Sequence, residues 1–297
     1  MTDLCFITTC RGRLAHLKDA LPTFIAQPGA GTVVVDYDCP DGTADWIAAN
    51  HPQVTVVRVH DKPLFEIARA RNLGVQAANA QWLCFVDADN RLAPDFADRV
   101  RPLLKRGFFY RPSPRSIDAS GMCICHVEDF RAIGGYDAVL QGYGEEDVDL
   151  YRRLDMLGVK LAPFPGELLQ IAAHDVGLRT QNYTVKSVRL NAALNQLYCN
   201  VKLDIARLKG LSHIPEDRRA RLYAQVSEGV LKAYAAGQDL TFRIAVAQQR
   251  TNLKTELTTA LEYHLRLTAL PQNAPQNAPQ NAPQHAPQIA PQAAKAP

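Results

Sequence analysis

The chain has 297 residues, of which 47% are hydrophobic and 21% charged, so it can bury one large core or two modest cores. Its 33 basic and 30 acidic groups give a formal net charge of +3, too balanced for a polyanion-binding surface, and we expect no nucleic-acid partner. No apolar run approaches the roughly 18 residues that span a bilayer, and the first residues lack the basic start and long apolar run of a signal peptide.

The cysteines are odd in number and scattered along the chain, seven in all. This pattern favours reduced thiols in apolar strands over a disulfide framework, and so predicts a cytoplasmic protein. Cys123 and Cys125 could form half of a metal site, but no CxxC or histidine cluster completes it, so the sequence does not favour zinc.

Short apolar runs alternate with helix-like stretches in the first third of the chain. The runs are "LCFITTC", "TVVVDYD", "VTVVRVHD" and "WLCFVDAD". The alternation predicts an α/β fold, a mostly parallel Rossmann-like sheet flanked by helices. In such sheets ligands bind beyond the carboxyl ends of the strands. Polar residues follow those ends, and we expect them in one crevice: Arg11, Asp36, Asp38, Asp87 and Asp89.

The pattern changes from about Asp118. An added strand, a turn at Gly134-Gly135 and a helix entered through the acidic residues 145–149 are predicted, since acidic side chains favour the first turn of a helix. We therefore predict an α/β domain over residues 1–180 and a helical extension over residues 181–266. Residues 267–297 repeat "PQNA" with a proline every four residues, which predicts a disordered, Pro-rich tail.

Asp87-Ala88-Asp89 follows an apolar strand, where residues two apart point to the same side. Both carboxylates could then reach one hard cation and the phosphates that it bridges. The alternative is a solvated turn or a helix cap. Arg69 and Arg71, on the polar face of the preceding helix, could bind a pyrophosphate, or could belong to a salt-bridged surface helix.

The order of these motifs resembles a known family. The segments "TCRGRLAHL", "VVVDYD", "LFEIARARNLG", "FVDADN", "GGYDAVLQGYGEEDVDLYRRL" and "AAHD" resemble those of inverting GT-A glycosyltransferases. The similarity is to the branch of the β-1,4-galactosyltransferases and the chondroitin-polymerase-like bacterial enzymes, and it covers roughly residues 3–177. The most specific part is GGYD followed by GYGEED.

The resemblance implies a donor site for a UDP-sugar. Arg11 and Arg13 match the Arg-x-Arg that lies against the nucleotide, Asp36 matches a uracil or ribose contact, and Phe65 matches an aromatic residue beside the uridine. Asp89 matches the metal ligand of the DxD motif, for Mn²⁺ or Mg²⁺. Asp87 then faces the ribose or a metal-bound water.

The resemblance also implies a second metal ligand, a base and an acceptor site. His174, in "AAHD", matches the further metal ligand. Asp147 matches the base that takes the proton of the attacking hydroxyl. Glu146 matches a residue that hydrogen-bonds the acceptor sugar. Tyr143, beside Gly144, replaces the usual Trp platform in the acceptor-binding segment.

The acidic segment departs from the family pattern at one position and allows a structural alternative. Glu145 replaces a glycine of the family pattern. The acids at 145–149 could instead cap the helix and pair with Arg152 and Arg153. Clustered carboxylates raise one another's pKa, whereas the helix N-terminus lowers it.

The expected activity is metal-dependent, inverting transfer of a hexose or N-acetylhexosamine, of the Gal or GalNAc type, from a UDP-sugar to a glycan or glycolipid hydroxyl. A catalytically silent UDP- or glycan-binding module and a sugar nucleotidyltransferase are the alternatives, although no glycine-rich loop after the first strand supports the latter. The extension could complete the acceptor groove, bind another enzyme of a polysaccharide pathway, or rest on the inner membrane as a peripheral contact. The sequence leaves these three open.

Overall fold

The computed structural model describes residues 2–114, 121–171, 183–250 and 255–270. The strands are β1 Thr2–Cys10, β2 Gly31–Tyr37, β3 Thr55–Val59, β4 Ala80–Phe85, β5 Asn90–Leu92, β6 Phe108–Ser113, β7 Cys123–His126, β8 Lys160–Pro165, β9 Leu169–Ile171, β10 Leu240–Arg250 and β11 Thr255–Leu265. The α-helices are α1 Leu14–Ile25, α2 Thr43–Asn50, α3 Ile67–Ala77, α4 Phe96–Val100, α5 Val127–Ala132, α6 Glu146–Met156, α7 Val188–Lys209 and α8 Glu216–Ala235.

The main sheet has seven strands in the order β3-β2-β1-β4-β7-β6-β8. β3, β2, β1 and β4 are parallel, β7 is antiparallel to both of its neighbours, and β6 pairs with β8 in parallel. β5 and β9 form a small antiparallel pair beside it. The predicted α/β architecture with a mostly parallel sheet is confirmed.

Successive residues of the central strands point to opposite faces of this sheet, and each face is covered. Phe6 and Cys84 belong to the core on the side of α1 and α4, whereas Ile7 and Phe85 belong to the core on the side of α3, α5 and α6. This double burial explains why the strands read as continuous apolar runs. Because β1, β2 and β4 are parallel, their carboxyl ends lie at one edge of the sheet.

The region after residue 183 begins with the two expected helices, α7 and α8. Its last part differs from the prediction, because β10 and β11 form an antiparallel hairpin where helix was expected up to residue 266. The residues Phe242, Ile244, Tyr263 and Leu265 alternate with polar or small ones and pack on α7 and α8. A two-residue apolar period favours a strand over a helix, and this signal was overlooked.

The tail boundary predicted at residue 267 is wrong by a few residues. Leu267 is buried against the core of α7 and α8, and its backbone N–H donates to Asp239 Oδ1 at 2.8 Å. The apolar residues Leu267 and Leu270 precede the first PQNA repeat, so this short segment has side chains to bury. Residues 271–297, and the domain boundary predicted at 180, lie outside the described residues.

Within the described ranges, no helix combines the length and the apolar character that a membrane span requires.

Candidate active site

The candidate site lies at the carboxyl edge of the parallel strands, where the polar residues after β1, β2 and β4 meet. Arg13, in the loop after β1, pairs with Asp89, after β4, through an Nη1 to Oδ2 distance of 3.2 Å. Arg11 donates to Tyr37 O at the end of β2, at 3.0 Å, and lies 3.6 Å from Asp38. Polar residues that follow β1, β2 and β4 thus lie at one edge of the sheet.

Arg71 of α3 joins this edge to the N-terminus of α6. Its guanidinium contacts Asp87 at 2.9 Å, Asp147 at 2.5 Å and Glu146 at 3.5 Å. Arg71 is almost fully buried, with 3% of its surface exposed. The prediction that it lies on the polar face of α3 is wrong, because three carboxylates draw it inward. Arg69, on the same helix, is the partly exposed arginine and pairs with Glu66 at 3.5 Å.

Tyr136, in the GGYD motif, packs against the same guanidinium. Its ring centroid lies 5.1 Å from Arg71 Cζ, a cation–π distance, and its hydroxyl lies 3.4 Å from Asp147 Oδ1. Asn72 of α3 bonds both the N–H and the C=O of Tyr136, each at 2.9 Å. Gly134 and Gly135 have φ of 77° and 71°, which allow this tight approach. The GGYD motif was recognised from the sequence, but the contacts of Tyr136 with Arg71 and of Asn72 with Tyr136 were not predicted.

Three of the four carboxylates at the start of α6 separate into two groups. Glu146 and Asp147 face Arg71. Asp149 is fully buried on the other side, where Arg153 Nη2 lies 2.8 Å and Lys202 Nζ of α7 lies 2.5 Å from its carboxylate. Of the acids at 145–149, Asp149 therefore forms the pair with Arg153 that the structural alternative expected. Arg152, proposed with it, instead bonds Asn200 at 2.7 Å.

The pKa values of the two carboxylates beside Arg71 are shifted upward. Burial and the charge of Asp147 raise the pKa of Glu146 to about 8, although Arg71 opposes the shift. Burial also raises the pKa of Asp147, against the attraction of Arg71 and with the help of Asp87. Three carboxylates share the Arg71 guanidinium, and Glu146, whose pKa is raised to about 8, holds a proton near neutral pH.

Gly121 lies beside this cluster of charged side chains. A Cβ at Gly121 would lie 2.8 Å from Arg71 Nη2, 3.0 Å from Asp87 Oδ2 and 3.2 Å from Asp147 Oδ2. A side chain would therefore collide with the charged groups that β4 and α6 bring together. Nothing in the sequence pattern marked Gly121, because its neighbours here are distant along the chain.

Asp36 and Phe65, which the resemblance assigns to the nucleotide, lie near the end of β2 and just before α3. Asp36 uses both carboxylate oxygens to accept the N–H groups of Cys39 and Ala44, at 2.8 and 2.7 Å, and so holds the β2–α2 loop. Phe65 packs edge-on against Tyr37 and stacks on Tyr183, with centroids 5.6 and 6.3 Å apart.

The proposed acceptor segment is held by α7. Asn195 Nδ2 donates to the carbonyls of Gln141 at 3.0 Å, Tyr143 at 3.4 Å and Gly144 at 2.9 Å. Gly142 has φ of 76°, and a Cβ there would lie 2.1 Å from Asn191 Oδ1. The backbone of the GYG segment therefore takes its shape from α7.

The residues present fit a hard divalent cation. Asp87 and Asp89 supply carboxylate oxygens, the ligands that Mn²⁺ and Mg²⁺ accept. His174 lies outside the described residues. In the part of the chain that the structure describes, no three acidic, histidine or cysteine side chains form a metal cluster.

Two family models match consecutive parts of the chain. Glycosyl transferase family 2 matches residues 5–110, and the N-terminal domain of galactosyltransferase matches residues 108–196. The second match continues from the sheet through α6 into α7, so it includes the GGYD and GYGEED segments. Comparison with curated proteins gives no match.

Solved structures share the fold at low identity. The chain is similar to the mannosyltransferase PcManGT from Pyrobaculum calidifontis in complex with GDP-Man and Mn²⁺, with a TM-score of 0.53 and 17% identity over 80% of this chain and 77% of that one. It is similar to S. aureus TarS 1–349 in complex with UDP-GlcNAc, with a TM-score of 0.52 and 12% identity over 76% and 71%. GalNAc-T7 with UDP, GalNAc and Mn²⁺ gives a TM-score of 0.54 and 15% identity over 80% and 57%.

The fold is therefore that of a GT-A glycosyltransferase. The two family matches are more particular: together with the fold, they support a GT-A glycosyltransferase of the galactosyltransferase-like branch.

Proposed function

We propose that the protein is a metal-dependent, inverting glycosyltransferase. It moves a hexose or N-acetylhexosamine, of the Gal or GalNAc type, from a UDP-sugar to a hydroxyl group of a glycan or glycolipid. The proposal is carried by one observation: the guanidinium of Arg71 contacts both Asp87 and Asp147. A carboxylate of the DxD motif and the expected base thus contact the same arginine, although Asp87 follows β4 and Asp147 lies in the first turn of α6.

In this proposal Asp147 is the base. The acceptor hydroxyl oxygen attacks the anomeric carbon of the donor sugar while its proton passes to a carboxylate oxygen of Asp147. The bond from the anomeric carbon to the diphosphate oxygen breaks, and its electron pair leaves with UDP. Attack from the face opposite the leaving group inverts the configuration at that carbon. The raised pKa of Asp147 makes it a stronger base than an exposed aspartate.

The chain's own residues would bind and orient the substrates. Asp89 and His174 would hold a Mn²⁺ or Mg²⁺ ion, which would offset the charge of the departing diphosphate, and Asp87 would face the ribose or a metal-bound water. Arg13 pairs with Asp89 and Arg11 lies 3.6 Å from Asp38, positions from which both can face the nucleotide. Glu146, protonated near neutral pH, can donate a hydrogen bond to an acceptor hydroxyl.

Several donor positions remain proposals from the family resemblance. Asp36 and Phe65 lie at the end of β2 and just before α3, on the side of the crevice assigned to uridine. Arg69 is the more exposed arginine of α3, which suits it better than Arg71 to meet a phosphate. Tyr143 and Gly144 form the acceptor platform in this proposal.

A donor screen tests the function directly. Purified protein with Mn²⁺ should release UDP from at least one of UDP-Gal, UDP-GalNAc, UDP-Glc and UDP-GlcNAc, with GDP-Man as the comparison donor, since a structural neighbour binds it. Chelation of the metal should abolish the release. UDP binding without release from any donor would support a silent module instead, and consumption of UTP with a sugar phosphate would support a nucleotidyltransferase.

A further inference from the structure

A pair of thiols lies beside the donor edge of the sheet. Cys39, in the loop after β2, has its Sγ 4.0 Å from the Sγ of Cys10, the last residue of β1. All seven cysteines of the chain lie in the described residues, and Cys39 is half-buried whereas the others are buried. Neither thiol has a role in the proposed transfer.

Hydrogen-bond donors surround the Cys39 sulfur. The backbone N–H of Gly12 and the hydroxyl of Thr43 both donate to it at 3.1 Å. Cys10 Sγ lies 3.3 Å from the same hydroxyl oxygen. Donors at these distances stabilise a thiolate, which is the nucleophilic form of cysteine.

The two thiols differ in acidity as a result. The hydrogen bond from Cys10, together with those from Thr43 and the backbone, lowers the pKa of Cys39 to about 6, although burial opposes the shift. The hydrogen bond to Cys39 and burial raise the pKa of Cys10. The pair therefore combines a half-buried thiolate with a neighbouring buried thiol.

We propose that Cys39 is a modification site for low-molecular-weight disulfides, and that Cys10 resolves the adduct into a Cys10–Cys39 disulfide. The Cys39 thiolate attacks one sulfur of the disulfide RSSR, forms the mixed disulfide Cys39–S–S–R and expels RS⁻. Cys10 then loses its proton to the released thiolate and attacks the Cys39 sulfur, which expels the second RS⁻. Two protein thiols and one RSSR thus give one protein disulfide and two RSH.

The bond would alter the loop that carries the donor-site arginines. A disulfide holds its sulfurs about 2.0 Å apart, so Cys39 and Cys10 must approach by about 2 Å. Gly12, which bonds the Cys39 sulfur, lies between Arg11 and Arg13, and Arg13 pairs with Asp89. Oxidation should therefore weaken nucleotide binding, a consequence that rests on the proposed function, whereas the thiol chemistry does not.

Thiol mapping on the full chain tests the proposal. The protein is incubated with glutathione disulfide, quenched with N-ethylmaleimide, digested and analysed by mass spectrometry. We expect a peptide pair joined through Cys10 and Cys39, and we expect it to disappear after reduction. Recovery of both cysteines as maleimide adducts, or first reaction at another cysteine, would overturn the proposal.

Variants separate the two steps. Cys10→Ser should accumulate the glutathione adduct at Cys39, because the resolving thiol is gone, and Cys39→Ser should leave Cys10 unmodified. Cys199→Ser, in α7, is the matched control and should give the wild-type link. If Cys10→Ser folds poorly, thiol mapping of the wild-type protein still shows whether Cys10 and Cys39 become linked. Equal reactivity of Cys10 in wild type and Cys39→Ser would contradict the assigned order.

Discussion

Arg71 determines the electrostatics of the candidate site. Its guanidinium contacts Asp87, Glu146 and Asp147, and it is itself almost fully buried. A buried ion pair does not by itself guarantee stability, but removing one partner leaves an uncompensated charge, at a cost of about 3–5 kcal/mol. Arg71 is thus a structural requirement of the site and, in the proposed function, a positioning residue for Asp147.

Arg71→Met should lower the free energy of unfolding by about 3–5 kcal/mol, because Asp147 and Asp87 lose their buried partner. Urea denaturation at pH 7 measures the change. Arg69→Met, two residues earlier on the same helix, removes a partly exposed arginine and should change stability by less than about 1 kcal/mol. Equal destabilisation by the two variants would contradict the role given to Arg71.

Glu146 should make stability depend on pH. Its pKa is raised from 4.5 to about 8, so in this window the folded state holds a proton that the unfolded chain releases. The free energy of unfolding should therefore fall as pH rises from about 4.5 to 8. In Glu146→Gln the decrease in the free energy of unfolding over this pH range should be smaller by more than about 1 kcal/mol, since one pKa unit is worth about 1.4 kcal/mol.

Urea denaturation of the wild type and the variant at pH 5 and pH 8.5 measures this slope. Glu228→Gln, which alters an exposed glutamate of α8, is the matched control and should keep the wild-type slope. If Glu146→Gln keeps the wild-type pH dependence of the free energy of unfolding, the proton is bound by a group other than Glu146.

At the scale of elements, α7 supports the helix that carries Asp147. Lys202 Nζ lies 2.5 Å from Asp149 of α6 and 2.7 Å from Asp137, which follows the GGY turn, and all three side chains are buried. Arg219 of α8 also pairs with Asp137. The two segments that resemble the family most closely are therefore joined to each other through the C-terminal helices.

Lys202→Met should lower the free energy of unfolding by roughly 3 kcal/mol or more, because two buried carboxylates share its ammonium group. Lys209→Met, at the exposed end of the same helix, should cost less than about 1 kcal/mol. Urea denaturation compares them. A Lys202→Met protein as stable as Lys209→Met would mean that α7 does not support α6.

The sequence predicted the elements that depend on local pattern and missed those that depend on distant partners. Continuous apolar runs identified β1, β2, β3 and β4, and the acids at 145–149 identified the start of α6. The partners of Arg71 and Lys202 could not be predicted, since their carboxylates are 16 to 76 and 53 to 65 residues away in the chain. The β10–β11 hairpin could have been predicted from its alternation.

At the scale of the whole molecule, the sheet and the C-terminal helices depend on each other. Asn195 and Lys202 of α7 hold the GYG segment and α6, and Leu140 packs with Leu194 in the core of the extension. The domain predicted over residues 1–180 therefore lacks contacts that the site needs. The division into two units describes the order of the sequence better than it describes the packing.

A fragment ending at residue 180 should not unfold cooperatively, because Asp137 and Asp149 lose Lys202 and the apolar face around Leu140 is exposed. A fragment ending at residue 270 keeps these contacts and should unfold at the same urea concentration as the full chain. Circular dichroism during urea titration measures both. A cooperative transition in the shorter fragment would show that the sheet is independent.

The central claim is that Asp147 takes the acceptor proton in a site shared with the donor. Asp147→Asn should abolish transfer from the active UDP-sugar while UDP still binds in the presence of Mn²⁺, because the amide keeps the shape but cannot accept the proton. Asp155→Asn, an exposed aspartate at the other end of α6, is the matched control and should transfer at the wild-type rate. Transfer by Asp147→Asn at the rate of Asp155→Asn would contradict the claim.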